Sequence, residues 1–352
     1  MNGITFEDKS KSTGIVFSNK TRVTFIAALL LILIIIAAIA ITRGAYDVPI
    51  IAVYEVIFTH LNLANQSNRL YNTIVWTIRM PRILLAIAVG IALGTSGAVY
   101  QGTFRNPLVE PFILGVSAGA AFGAALSIVY PQYLFSAQIS AFIFGMVAVG
   151  GAYSLARVRG ETPLVTLILA GVILGSIFMS GVSILKYISS DTQLREIVFW
   201  MMGGFYYADW NMIWQVIPAI VICSIALCLV GWKLNVLSMG EEEAKTLGMH
   251  TERLRIILIT LATFITALSV SAVGIIAWVG LMMPHAARLV IGPDHRFLLP
   301  SAAIMGAIFL IICDTIARTL TTAEIPVGII TSLLGAPYLI YLLRTKKNIF
   351  FG

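Results

Sequence analysis

Asp314 stands four residues before Arg318, a spacing that puts a carboxylate and a guanidinium on one face of a helix. Inside an apolar stretch such a pair can relay protons or hold the arginine in place, and a lone acid already matched with an arginine favours the ion pair. Arg79 and Arg82 flank Met80-Pro81 directly before another apolar stretch. Guanidiniums placed there offer planar forks to carboxylates, or snorkel to a membrane surface. The densest charge lies between Gly240 and Arg255, which holds Glu241, Glu242, Glu243, Lys245, Glu252, Arg253 and Arg255. Early acids, Ala244 and Leu247 three apart, and Gly248 as a stop describe a short helix with an apolar contact face. Metal and nucleotide chemistry find no matching pattern. Cys223, Cys228 and Cys313 lie in apolar runs without ligand spacing; His60, His250, His285 and His295 form no two-histidine helix motif; no Gly-Lys dipeptide supplies a phosphate loop.

The elements that must carry these residues are membrane helices. The 352 residues are 59% hydrophobic and 11% charged, with uncharged runs long enough for the ~20 residues of a spanning helix. These runs are continuous rather than alternating, which excludes a β-barrel. The fold class is therefore all-α and polytopic, with about ten transmembrane helices. Spans are expected at 23–41, 83–101, 112–129, 137–156, 163–185 and 212–232, then at 298–317 and 325–343. Between them, 256–287 carries no Asp, Glu, Lys or Arg and is too long for one span, so it divides into two near Gly274. Ala38-Ile39-Ala40 has the pattern of a signal cleavage site, but the first run exceeds a signal core and reads as a retained span.

Basic residues collect on cytoplasmic loops. With ten spans, Arg43, Arg69, Arg79, Arg82, Lys186, Arg195 and Arg318 fall outside, and the other 16 of the 23 lysines and arginines fall inside. Both termini are then cytoplasmic: a leader at 1–22, one transmembrane domain at 23–343 and a tail at 344–352. The charged element, about 236–255, also faces the cytoplasm. The net charge of +7 follows from this bias and does not indicate nucleic-acid binding. Gly90 with Gly94, Gly115 with Gly119 and Gly123, and Gly171 with Gly175 have the spacing of close helix packing, though such helices can also line a wide path.

Several blocks in order carry a resemblance: Arg79-Met-Pro-Arg82; Gly97-Ala-Val-Tyr-Gln101 with Arg105-Asn106-Pro107-Leu108 and Glu110-Pro-Phe-Ile-Leu-Gly115; Phe199-Trp-Met-Met-Gly203; Gly240 to Gly248; Gly280-Leu-Met-Met-Pro-His285 with Arg288; Asp294-His295-Arg296; Asp314-Thr-Ile-Ala-Arg318; Glu324-Ile-Pro-Val-Gly328; and Leu334-Gly-Ala-Pro337. From about Trp76 to Leu343 the chain resembles permease subunits of type II ABC importers, which take up ferric siderophores, haem and cobalamin. The resemblance implies ten spans, a second permease copy (a homodimer, with a pair with a sister permease as the alternative), two ATP-binding subunits and an extracytoplasmic binding protein, in the cell membrane. It implies no enzyme activity and no cofactor in this chain, ATP and Mg being bound by the ATPase. Gly240, Glu241, Glu242, Glu243, Ala244, Leu247 and Gly248 would form the ATPase coupling element, with Arg105, Asn106, Pro107, Asp294, His295 and Arg296 on further ATPase-side turns. Arg79, Arg82 and Arg318 would receive acids of the binding protein, with Asp314 orienting Arg318. The span 163–185 would line the pathway. Ferric siderophore is the leading cargo, with haem, cobalamin and molybdate as alternatives; an autonomous carrier or channel is the competing class.

Overall fold

The computed structural model describes residues 18–345 except 45, 62, 64–67, 158–161 and 322. Most of the leader (1–17) and of the tail (346–352) therefore lies outside the described residues. Helices follow one another as α1 Asn19–Thr42, α2 Ile50–His60, α3 Arg69–Asn72, a π-helical segment Thr73–Arg79, α4 Met80–Phe104, α5 Val116–Val129, α6 Ala137–Ala156, α7 Leu164–Ile188, α8 Asp191–Met202, α9 Trp210–Leu229, α10 Gly231–Met239, α11 Glu241–Thr246, α12 Thr251–Val273, α13 Val279–Ile291, α14 His295–Thr319 and α15 Val327–Thr345. Among the described residues there is no strand.

The ten expected spans appear as α1, α4 to α7, α9 and α12 to α15. Among the described residues, seven helices are long and apolar enough to cross a membrane, while α5, α13 and the apolar part of α15 are shorter. The short ones have a physical cause. α5 has 14 residues, about 21 Å of helix, and the turn-rich segment 105–115 before it is partly buried, with Val109 and Leu114 enclosed. Irregular backbone is tolerated at membrane depth where protein covers it. This segment moves the start of the helix from the expected 112 to Val116.

The long apolar stretch breaks at Gly274, as its length required. There φ is +72°, and a Cβ would lie 2.1 Å from the Trp200 carbonyl oxygen, so only glycine fits. Helices α2, α8 and α10 are additions to the expected set. α2 is too short to register as a span, and α8 is a surface helix opened by a Ser190/Gln193 capping box.

α4 is the axis of the bundle: 83% of its apolar window is buried, against 17% for α1. Small residues let other helices reach it. A Cβ on Gly90 or Gly94 would strike the α14 backbone at 2.4 and 2.3 Å, and one on Gly97 would lie 1.9 Å from the Gly280 oxygen of α13. Gly119 and Gly123 of α5 meet the α6 backbone at Phe144 and Ser140, and Gly171 of α7 meets Ile113 and Leu114. These glycines pack helices.

Candidate functional site

Polar side chains gather at the two ends of the bundle. At one end α9 runs into α10 and then into α11, whose six residues put Glu241, Glu242 and Glu243 in the first turn, where the helix dipole favours acids. Lys245 lies 3.3 Å from Glu241, four residues on. The helix closes by two bonds, Met249 N–H to Ala244 O at 3.1 Å and Gly248 N–H to Lys245 O at 2.9 Å, with Gly248 at φ +77°. That pattern places Gly248 as the left-handed terminator.

The expected apolar face of this element divides in two. Ala244 is fully buried and seats α11 on the bundle, whereas Leu247 is 64% exposed. Ala244 is thus corrected from a contact residue to a packing residue. Arg255 turns inward as well. It is buried, and it bonds Glu241 at 3.1 Å, Glu252 at 3.1 Å and the Thr162 carbonyl at 3.2 Å. Partial burial pushes the Glu241 carboxyl up, but the Arg255 and Lys245 bonds outweigh it and hold it below the usual range.

Two further turns share this end. Arg105 terminates α4 at φ +51° and is exposed. Asn106 is exposed too, its Oδ1 accepting the Leu108 N–H at 2.9 Å, and Pro107 prevents the helix from continuing. The Asp294-His295-Arg296 turn does not present all three side chains. Asp294 caps α14 and holds Arg22 at 3.4 Å, Arg296 at 2.7 Å and Asn235 at 2.7 Å. His295 is buried against α10, leaving Arg296 as the exposed member. Asp294 and His295 are corrected to internal fasteners because the cap on α14 and the contact with Asn235 of α10 turn them inward.

At the opposite end the first turn of α4 meets the last turn of α14. Asp314, 1% exposed, accepts from Arg82 Nε at 2.7 Å and from Arg318 Nε at 3.0 Å, while Arg82 Nη1 donates to Glu324 at 2.7 Å. Arg318 continues to the carbonyls of Arg43 at 3.1 Å and Ala40 at 3.3 Å. Arg79 donates to the carbonyls of Ile41 and Tyr46. All three arginines are 4% exposed. The expectation of open forks awaiting a partner is therefore corrected: the forks are filled from within, because α1, α4 and α14 converge on them. One donor, Arg82 Nη2, is buried without an acceptor.

The structure brings Arg79, Arg82, Asp314 and Arg318 together at one end. It brings the α11 element, the Arg105 turn and the Asp294 turn together at the other. Sequence reasoning gave no role to Glu324 or Asn235. Glu324 stood in a quoted block, but its reach to Arg82, 242 positions away, had no local signal. Asn235 is an ordinary polar residue after an apolar run.

The family model described as the FecCD transport family covers residues 29–345. The chain belongs to the FecCD transport family. A solved structure described as a metal-chelate type ABC transporter in an inward-facing conformation superposes with a TM-score of 0.81 at 36% identity, covering 91% of this chain and 99% of that one. The cobalamin import system permease protein BtuC of Halobacterium salinarum is 44% identical over 275 residues, 78% of this chain and 74% of the relative. The molybdate import system permease protein MolB of Haemophilus influenzae is 37% identical over 310 residues, 88% of this chain and 92% of the relative. The FecCD fold thus has the type II ABC importer permease architecture, and the helices described above are those of a multi-pass membrane permease.

Proposed function

We propose that this chain is the membrane permease of an ATP-driven importer that passes a bulky metal chelate from an extracytoplasmic binding protein to the cytoplasm. The observation that carries the reading is the α10–α11 element. It is a short acidic helix, seated by Ala244 and tied by Arg255, holding Leu247 out at one end of a FecCD-type bundle. The excess of basic residues, 16 of 23 on that side in the ten-span arrangement, supports a cytoplasmic location for it and for both termini. An ATP-binding subunit docks on Leu247, Arg105, Asn106 and Arg296, and supplies the nucleotide and Mg; this chain catalyses no bond chemistry. A second copy completes the pathway, with α7 along it. The binding protein docks at the arginine end, where its acids exchange with Glu324, the partly exposed partner of Arg82.

On cargo, a corrinoid ranks first because the relative named for cobalamin shares 44% identity. Ferric siderophore, haem and molybdate complete the panel. The test is uptake of labelled cyanocobalamin, haemin, a ferric siderophore and molybdate by cells with and without the gene. Uptake of one probe that needs the gene, and falls at least tenfold in Leu247→Asp, is the expected result. Gene-dependent uptake that persists without ATPase subunits would establish an autonomous carrier instead.

A further inference from the structure

Three polar bonds of 2.7 Å converge on Asn235, midway along α10. Its Nδ2 donates to Asp294 Oδ1, and its Oδ1 accepts the His295 backbone N–H and meets His295 Nδ1. The backbones are also close. A Cβ on Gly231 would lie 3.0 Å from the His295 carbonyl oxygen, and one on Gly102 of α4 would lie 2.6 Å from His295 Nε2. Arg22 of α1 reaches the same carboxylate at 3.4 Å and lies over the Phe297 ring at 5.2 Å. One amide therefore joins α10 to the start of α14, at a point where α1 and α4 also meet.

A short element hung between two spans can pivot about its attachments. α10–α11 has a chain joint at Val230 and a side-chain joint at Glu241–Arg255. A third fixed point off that line removes the pivot, and Asn235, whose amide nitrogen and oxygen are both bonded to the start of α14, supplies one. We propose that Asn235 is the positioning residue of the coupling element, transferring motion of α11 to α14 in addition to the path through Arg255 to α12. This rests on the permease reading of α11. It predicts that loss of Asn235 lets the ATPases cycle while the spans follow poorly.

The test uses the assembled permease–ATPase complex in proteoliposomes with its binding protein, and the four probes named above. ATP hydrolysed is measured against probe transported, per assembled complex isolated by size exclusion. Asn235→Leu and the milder Asn235→Ser keep hydrolysis within twofold of wild type, while transport per ATP falls about tenfold and threefold respectively. Asn235→Asp faces the Asp294 carboxylate and also uncouples. The pair Asn235→Asp with Asp294→Asn restores a donor opposite an acceptor and recovers transport per ATP to within threefold. A purely structural role would lower hydrolysis and transport together, at constant ratio, and that result overturns the proposal, as does a double variant no better than Asn235→Asp. A wild-type complex that moves none of the probes with ATP overturns the importer reading, and the inference with it.

Discussion

Asp314 neutralises two buried arginines at once, through Arg82 at 2.7 Å and Arg318 at 3.0 Å, so removing its charge leaves Arg318 without a carboxylate and Arg82 with only the partly exposed Glu324. Breaking a buried pair from one side costs about 3–5 kcal/mol. Asp314→Asn is predicted to lower the detergent melting temperature sharply, whereas Glu324→Gln, at a partly exposed site, lowers it little. Asp294 gives a pH signature. The Arg296 side-chain bond, helped by Asn235 and opposed by burial, draws its carboxyl from 3.8 down to about 2. A depressed carboxyl contributes stability that is full above its unfolded value and is lost as pH falls through the folded one. The melting-temperature advantage of wild type over Asp294→Asn is therefore flat at neutral pH and shrinks from about pH 4 towards pH 2.

At the level of elements, glycine contacts decide which helices can touch. Gly97 lies where α4 crosses α13, and its neighbours there are the O, C and Cα of Gly280, all backbone atoms that cannot rotate away. Gly97→Ala forces the helices apart, with an overpacking cost of about 1–3 kcal/mol, and reduced yield of monodisperse protein is the expected readout. Gly150 on α6 is the control: a Cβ there meets nothing within 4 Å. Gly150→Ala should leave stability unchanged or raise it by about 0.5–1 kcal/mol, since alanine loses less chain entropy in a helix. Leu247 and Ala244 separate in the same way. Aspartate at exposed Leu247 leaves the fold intact and removes docking, whereas aspartate at buried Ala244 also unseats α11.

On the scale of the whole molecule, the two polar ends must face opposite sides of the membrane, since α4 and α14 each carry one polar group near either terminus. With native cysteines replaced, Glu242→Cys should react with an impermeant maleimide only in inside-out vesicles. Tyr187→Cys, at a position 91% exposed in the last turn of α7, should react only in right-side-out cells. Labelling of both from one side would refute the topology.

The number of spans, the break at Gly274, the short acidic helix closed by Gly248 and the Asp314–Arg318 spacing were all legible in the chain itself. Each depends on composition or on residues no more than a few positions apart, where periodicity and backbone sterics act. Tertiary structure alone decided where the charges point. Arg82 finds Glu324 across 242 positions, Asn235 finds His295 across 60, and Arg255 finds Thr162 across 93. The arginines read as open forks and the Ala244–Leu247 face read as one surface because sequence shows a residue's chemistry, not its occupied partners. Helix convergence buried those guanidiniums, and a buried charge must take whatever acceptors the neighbouring helices bring to it.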